Sequence, residues 1–241
     1  MVKRISLALC VMFGLTFAAL TAPALAWSAP CGVPTSILNE LYADFLSATN
    51  IKDISLFTPK LMWLAVVDRE GRLCLIRKAG DAWPGSRAIA IAKASTANDF
   101  SNDKLTLSTA NLYGATLPGA SLFGLNNSNT FNGFFNDPEI RADGHVPGGI
   151  ITFGGGVALY QGSTVIGGLG VSGDTACAAH DVAYITRNSA IQHGVISAPV
   201  TNDNIAYETP VVPGHFTHPT CLGGEKPPLT GVSPFARIRR Q

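Results

Sequence analysis

Charge is scarce in this 241-residue chain. Its 17 Lys+Arg and 16 Asp+Glu leave a formal net charge of +1, and only 14% of residues are charged. A protein that holds nucleic acid by its phosphates needs a basic stripe, so that class of partner is argued against. Aromatic residues are also few, at 8%, yet 46% of the chain is hydrophobic, enough for a buried core and too much for a disordered chain. Several motifs are missing. Without Cys-x-x-Cys-His there is no covalent c-type haem attachment, and without GxSxG, HExxH or a P-loop none of the chemistries those motifs carry is indicated. No long apolar run follows the N-terminal one, so no membrane span is expected once that run is removed.

The N-terminal run has its own reading. Lys3 and Arg4 precede an almost wholly apolar stretch from Ile5 to Leu20, and Ala24-Leu25-Ala26 is a small-x-small cleavage site. Residues 1–26 are expected to be a cleaved signal peptide, which makes the protein periplasmic or secreted. Cys10 leaves with that segment. Cys31, Cys74, Cys177 and Cys221 remain, an even number in an oxidising compartment, and two disulfides are expected. Four cysteines allow three connectivities, which the sequence alone does not separate.

Gly (25) and Pro (15) are plentiful, so many turns should punctuate the regular structure. Apolar residues at 37, 38, 41, 42, 45 and 46 place an amphipathic helix over 35–48, with Thr35 as its N-cap. Residues 62–68 and 73–77 read as a hairpin in which Gly71 takes a positive φ. An alanine-rich helix follows from Ser86 to about Asn98, suited to close packing on a sheet. Residues 101–148 are irregular and longer than most loops of compact domains. A second hairpin spans Ile150–Tyr160 and Val165–Ser172. Asp174 is placed to cap the next helix, and Gly194 to end it. A proline-rich, extended tail occupies 196–241. The expected organisation is therefore one α+β domain over 27–195, built on an antiparallel sheet, plus that tail.

Two constellations invite chemistry. Gly168-Leu169-Gly170-Val171-Ser172-Gly173 spells the GxGxxG of dinucleotide-binding folds. Its strand belongs to a hairpin and no acidic residue follows about 20 positions on, so small residues for tight packing explain it better. Backbone N–H groups near Ser172–Cys177 could still hold a carboxylate or propionate. The second set is Cys177-x-x-His180 with His215-x-x-His218-x-x-Cys221, at spacings zinc accepts. In an exported chain such cysteines more often pair with each other, and a Cys177–Cys221 disulfide would bring His218 near His180.

PGGIITFGGGVALYQGSTVIGGLGVSGDTACAAHDVA (147–183) resembles the GlcG/HbpS haem-binding family, which is related to the C-terminal domain of PduO-type proteins. LAVVDREGRLCLI (64–76), DAWPGSRAIAIAKASTANDFS (81–101), STANLYGATLPGASLFGL (108–125), TNDNIAYE (201–208) and HPTC (218–221) agree with it. The resemblance implies a layered α/β/α domain with helices on both sheet faces, a homo-oligomer, and non-covalent haem or small-ligand binding. It also implies the pairs Cys31–Cys74 and Cys177–Cys221. The leading expectation is an exported haem- or tetrapyrrole-binding carrier, buffer or sensor. His180 and His218 are its candidate iron or metal ligands, and Gly170, Ser172, Gly173 and Asp174 its candidate cofactor contacts. A rival is an accessory subunit of a periplasmic complex, docking through the arginines of Phe235–Arg240. A small-molecule enzyme is the third reading, with no nucleophile–base pair to name.

Overall fold

The computed structural model describes residues 30–51, 61–140, 142 and 144–221. The expected signal peptide (residues 1–26) and the arginines at 235–240 lie outside the described residues. Two hairpins supply the sheet. β1 (Met62–Asp68) and β2 (Leu73–Ala79) turn through Gly71 at φ +79°, and β3 (Gly156–Gln161) and β4 (Thr164–Ser172) turn through Gly162 at φ +60°. The order is β2-β1-β4-β3, antiparallel throughout, with Trp63 opposite Ser172 and Asp68 opposite Gly167 where the hairpins join.

Alternation along the strands assigns the two faces. Met62, Leu64, Val66, Leu169 and Val171 point into one core with α1 (Thr35–Ala48) and α4 (Ala176–Gln192). Ala65, Val67, Leu73 and Ile76 pack on the opposite side against Ala90, Ile91 and Ala94 of α2 (Ser86–Asp99). Helices thus cover both faces, as the sequence led one to expect. The glycine pair in β4 explains how close α2 comes. A Cβ at Gly168 or Gly170 would land on the Ala94 or Ala90 carbonyl oxygen, far inside van der Waals contact. The GxGxxG spacing is therefore a packing device.

Three details differ from the sequence reading. Pro34, not Thr35, occupies the N-cap of α1, and Thr35 is the first helical residue. Thr175, not Asp174, caps α4, its Oγ1 accepting from Ala178 N–H at 3.2 Å, while Asp174 Oδ1 accepts from Thr175 N–H at 2.7 Å. Residues 150–155 are not a strand. Gly155, at φ +126°, turns the chain over the Lys93 side chain before β3 begins. Gly194, at φ +73°, does follow the end of α4.

The 101–148 segment is largely irregular, with one short helix, α3 (Leu112–Ala115), and 3-10 turns at Leu125–Asn127 and Gly133–Asn136. Buried Phe135 anchors it, and the Arg87 guanidinium donates to the Phe135 and Ile140 carbonyls. Residues 196–221 are also irregular, but they pack on the domain: Ser197 N–H donates to Tyr160 O at 2.8 Å, and Asp203 and Ile205 are buried. Disulfides Cys31–Cys74 and Cys177–Cys221, the pairs the resemblance implies, tie down the two ends. No helix among the described residues is long and apolar enough to cross a membrane.

Candidate functional site

One face of α4 carries Cys177, His180, Tyr184 and Arg187, and the 196–221 segment lies across it. His180 is fully buried. Its Nε2 is 3.2 Å from Asn204 Oδ1 and 3.1 Å from Ile205 N, and Ile205 N–H also reaches Asn204 Oδ1 at 2.8 Å. A proton on Nε2, donated to Asn204 Oδ1, satisfies every donor in this set. It leaves one buried acceptor without a partner, the Nδ1 lone pair. Burial pushes the ring down to about 4, with the Asp203 carboxylate opposing, so it is neutral near pH 7.

Tyr184 stacks on His180 with ring centroids 5.9 Å apart at 24°, and the Arg187 guanidinium lies 5.1 Å from the Tyr184 ring. Arg187 and Asp203 form an ion pair with both side chains fully buried, at 2.5 and 2.7 Å. Burial disfavours the Arg187 charge, but the adjoining carboxylate outweighs it and holds the guanidinium above its ordinary value.

His218 sits beside the same helix end, 5.0 Å from the Tyr113 ring, and both its nitrogens are engaged. Nδ1–H donates to Pro219 O at 2.7 Å, and Nε2 accepts from Gly154 N–H at 3.3 Å. Burial pushes it to about 4, with the Pro219 hydrogen bond opposing and Lys93 assisting. Lys93 is itself buried. It donates to Val171 O at 3.1 Å, sits 4.8 Å over the Phe153 ring, and is pushed down to about 7 by burial.

The sequence candidates thus part company. His180 and His218 come into electrostatic range of each other, but only His180 keeps a free ring nitrogen. No group of three metal-ligand side chains among the described residues includes His180. Gly170 faces α2, and Gly173, at φ +145°, is pressed against the Leu61 carbonyl. The proposed carboxylate cradle is occupied from within, because Thr175, Cys177 and Ala178 N–H already reach Asp174 Oδ1, Cys221 Sγ and Thr175 Oγ1. Sequence reasoning missed Lys93, Tyr184, Arg187, Asp203 and Asn204. A signal existed for some: Lys93 falls on the alanine face of α2, and Tyr184 and Arg187 continue the spacing of Cys177 and His180.

Two open cavities lie nearby. One of about 440 Å³ is lined by Tyr184, Asn188, Ile191 and Gln192 of α4 with residues 198–202, and one of about 280 Å³ lies between 126–131 and 149–151. Neither touches His180 directly, but Tyr184 is shared between the larger cavity and the His180 stack. The donor set fits haem iron at one point, His180, whose neutral ring has a lone pair free and its second nitrogen anchored by a side-chain amide.

A family model described as "Haem degrading protein HbpS-like" matches residues 58–186. The corrinoid adenosyltransferase PduO of Citrobacter freundii is 32% identical over 110 residues, 46% of this chain and 26% of that protein. PduO of Salmonella typhimurium is 31% identical over 131 residues, 54% of this chain and 32% of that protein. The chain therefore aligns with only about a third or less of these relatives. Among solved structures, Klebsiella pneumoniae ORFY gives a TM-score of 0.50 at 24% identity, covering 65% of this chain and 89% of that one. PduOC in complex with heme gives 0.49 at 25%, covering 65% and 94%. The ORFY likeness shows the shared fold.

Proposed function

The chain belongs to the HbpS-like family, and from that premise we propose that it is an exported protein binding haem or a related tetrapyrrole non-covalently, as a carrier, buffer or sensor. The observation that carries this reading is the neutral, fully buried His180 with Nδ1 unpartnered. Haem, when bound, would supply an iron centre that could accept a neutral imidazole as a ligand. His180 offers that lone pair, and Asn204 holds the ring by its other nitrogen. The ligand is received at the 440 Å³ cavity, a volume typical of small-molecule sites. There Ile191, Ala198, Pro199 and Val200 give an apolar wall, and Asn188, Gln192 and Asn202 give polar ends. Tyr184 lines this cavity and stacks on the His180 ring, which links the two. His218, which lines neither cavity, is left out of this assignment.

Export is supported by the basic-apolar-small N-terminus and the two disulfides. Self-association is supported by large apolar side chains left in water, with Trp83, Phe123 and Phe134 all more than half exposed. Haem titration followed by absorbance tests the reading. A saturable Soret shift at a fixed stoichiometry, lost in His180→Ala, is expected. A protein that leaves the haem spectrum unchanged overturns it.

A further inference from the structure

The disulfide that closes the 196–221 segment has a third potential ligand beside it. The ligand atoms of Cys177, Cys221 and His218 lie within 4.8 Å of one another, and Cys177 and His218 are buried while Cys221 is half-buried. We propose that, once this disulfide is reduced, Cys177, Cys221 and His218 form a binding site for zinc or a similar borderline-soft divalent cation.

His218 is set up as ligating histidines usually are. Nδ1–H is fixed on a backbone carbonyl, that of Pro219, which leaves the lone pair on Nε2. The present partner of that lone pair is Gly154 N–H at 3.3 Å, a long hydrogen bond that a cation can displace. Cys177 occupies the first turn of α4, where helix N–H groups favour a thiolate, and its own N–H already points at Cys221 Sγ from 3.2 Å. Two thiolates and an imidazole make a three-ligand zinc set whose fourth position stays open to water or another ligand. Tetrahedral coordination separates the sulfurs to roughly 3.8 Å. The half-buried, irregular end of the segment at Cys221 can provide that movement.

The chemistry balances with a dithiol as reductant. Its two thiols give two electrons and two protons to the Cys177–Cys221 bond, yielding two cysteine thiols and the reductant's own disulfide. Zinc binding then releases the two thiol protons. The second disulfide is a built-in contrast. The third ligand near Cys31–Cys74 is Asp68, whose carboxylate is occupied by Gly32 N–H, Arg72 N–H and the Arg72 guanidinium at 2.9, 2.9 and 3.2 Å.

The test reduces the full chain with a dithiol, removes the reductant without oxygen, and titrates with Co²⁺ as a spectroscopic stand-in. One equivalent should bind with a thiolate-to-cobalt charge-transfer band. Zinc should displace it, and alkylation mapped by mass spectrometry should find Cys177 and Cys221 protected while Cys31 and Cys74 react. His218→Gln should weaken cobalt binding at least tenfold without changing the far-ultraviolet circular dichroism of the oxidised protein. Absence of the band, protection of Cys31 and Cys74 instead, unaltered affinity in His218→Gln, or loss of native circular dichroism on reduction that cobalt does not restore would each overturn the proposal.

Discussion

Replacing Asp203 by alanine should cost about 3–5 kcal/mol, the usual penalty for stranding one member of a buried ion pair. Both side chains of the Arg187–Asp203 pair are fully buried. Without the carboxylate, the guanidinium keeps only the Ala158 carbonyl at 3.4 Å, and its Nε has no hydrogen-bond partner even in the intact protein. Domains of this kind are stable by about 5–15 kcal/mol, so the variant loses about a fifth of its margin or more. Urea unfolding at pH 7 with disulfides intact reads the effect as a midpoint lowered by roughly 1–2 M. The double variant Arg187→Met, Asp203→Leu removes both charges and should recover most of the loss. Asp203→Ala costing under about 1 kcal/mol, or a double variant as damaged as the sum of the singles, would refute the claim that this pair is buried and coupled.

Gly170→Ala drives a methyl group into the Ala90 carbonyl and should destabilise by about 1–3 kcal/mol or more, whereas Gly85→Ala, with nothing within 4 Å, should stay within about 0.5 kcal/mol; thermal unfolding of the two compares them. Stability should fall on acidification from about pH 6.5 towards 4. His180 and His218 sit near 4 in the folded chain against 6.5, so the unfolded chain takes up more protons in that window. Asp44, raised by burial from 3.8 to about 6, and Asp99, also raised by burial, oppose them, since their shares are lost as pH rises. Chemical unfolding at several pH values checks the sign, and a flat or rising trend on acidification would contradict the buried neutral rings. Replacing Cys31 and Cys74 by serine should cost about 2–4 kcal/mol, because that disulfide closes a separation of 43 residues; an unchanged melting temperature would count against its role.

Local patterns carried the fold a long way. The apolar runs at 62–68 and 73–77, a glycine at the turn, and the helical stripe at 37, 41 and 45 all lie within a few residues, where sequence spacing and spatial spacing coincide. The alanines of α2 and the glycines of β4 were each legible as signs of close packing, but that they pack on each other was not, because they lie far apart in the chain. Ends were less legible, because capping depends on which neighbouring hydroxyl reaches a free N–H: Thr175 and Asp174 are both suitable, and only the three-dimensional turn chooses. The site was least legible. Arg187 and Asp203 are 16 residues apart, and His180 and Asn204 are 24 apart, so nothing local marks them as partners. Spacing brought His218 to notice, but whether its lone pair is free depends on Gly154, 64 residues away.

Under the proposed function, His180 is the ligand end of a tetrapyrrole site. Haem titration of the wild-type chain beside His180→Ala and Tyr184→Ala tests it most directly. A saturable Soret shift is expected in the wild type, lost in His180→Ala and altered in Tyr184→Ala, where the ring shared by cavity and histidine is gone. Equal Soret shifts in the wild type and His180→Ala would contradict it.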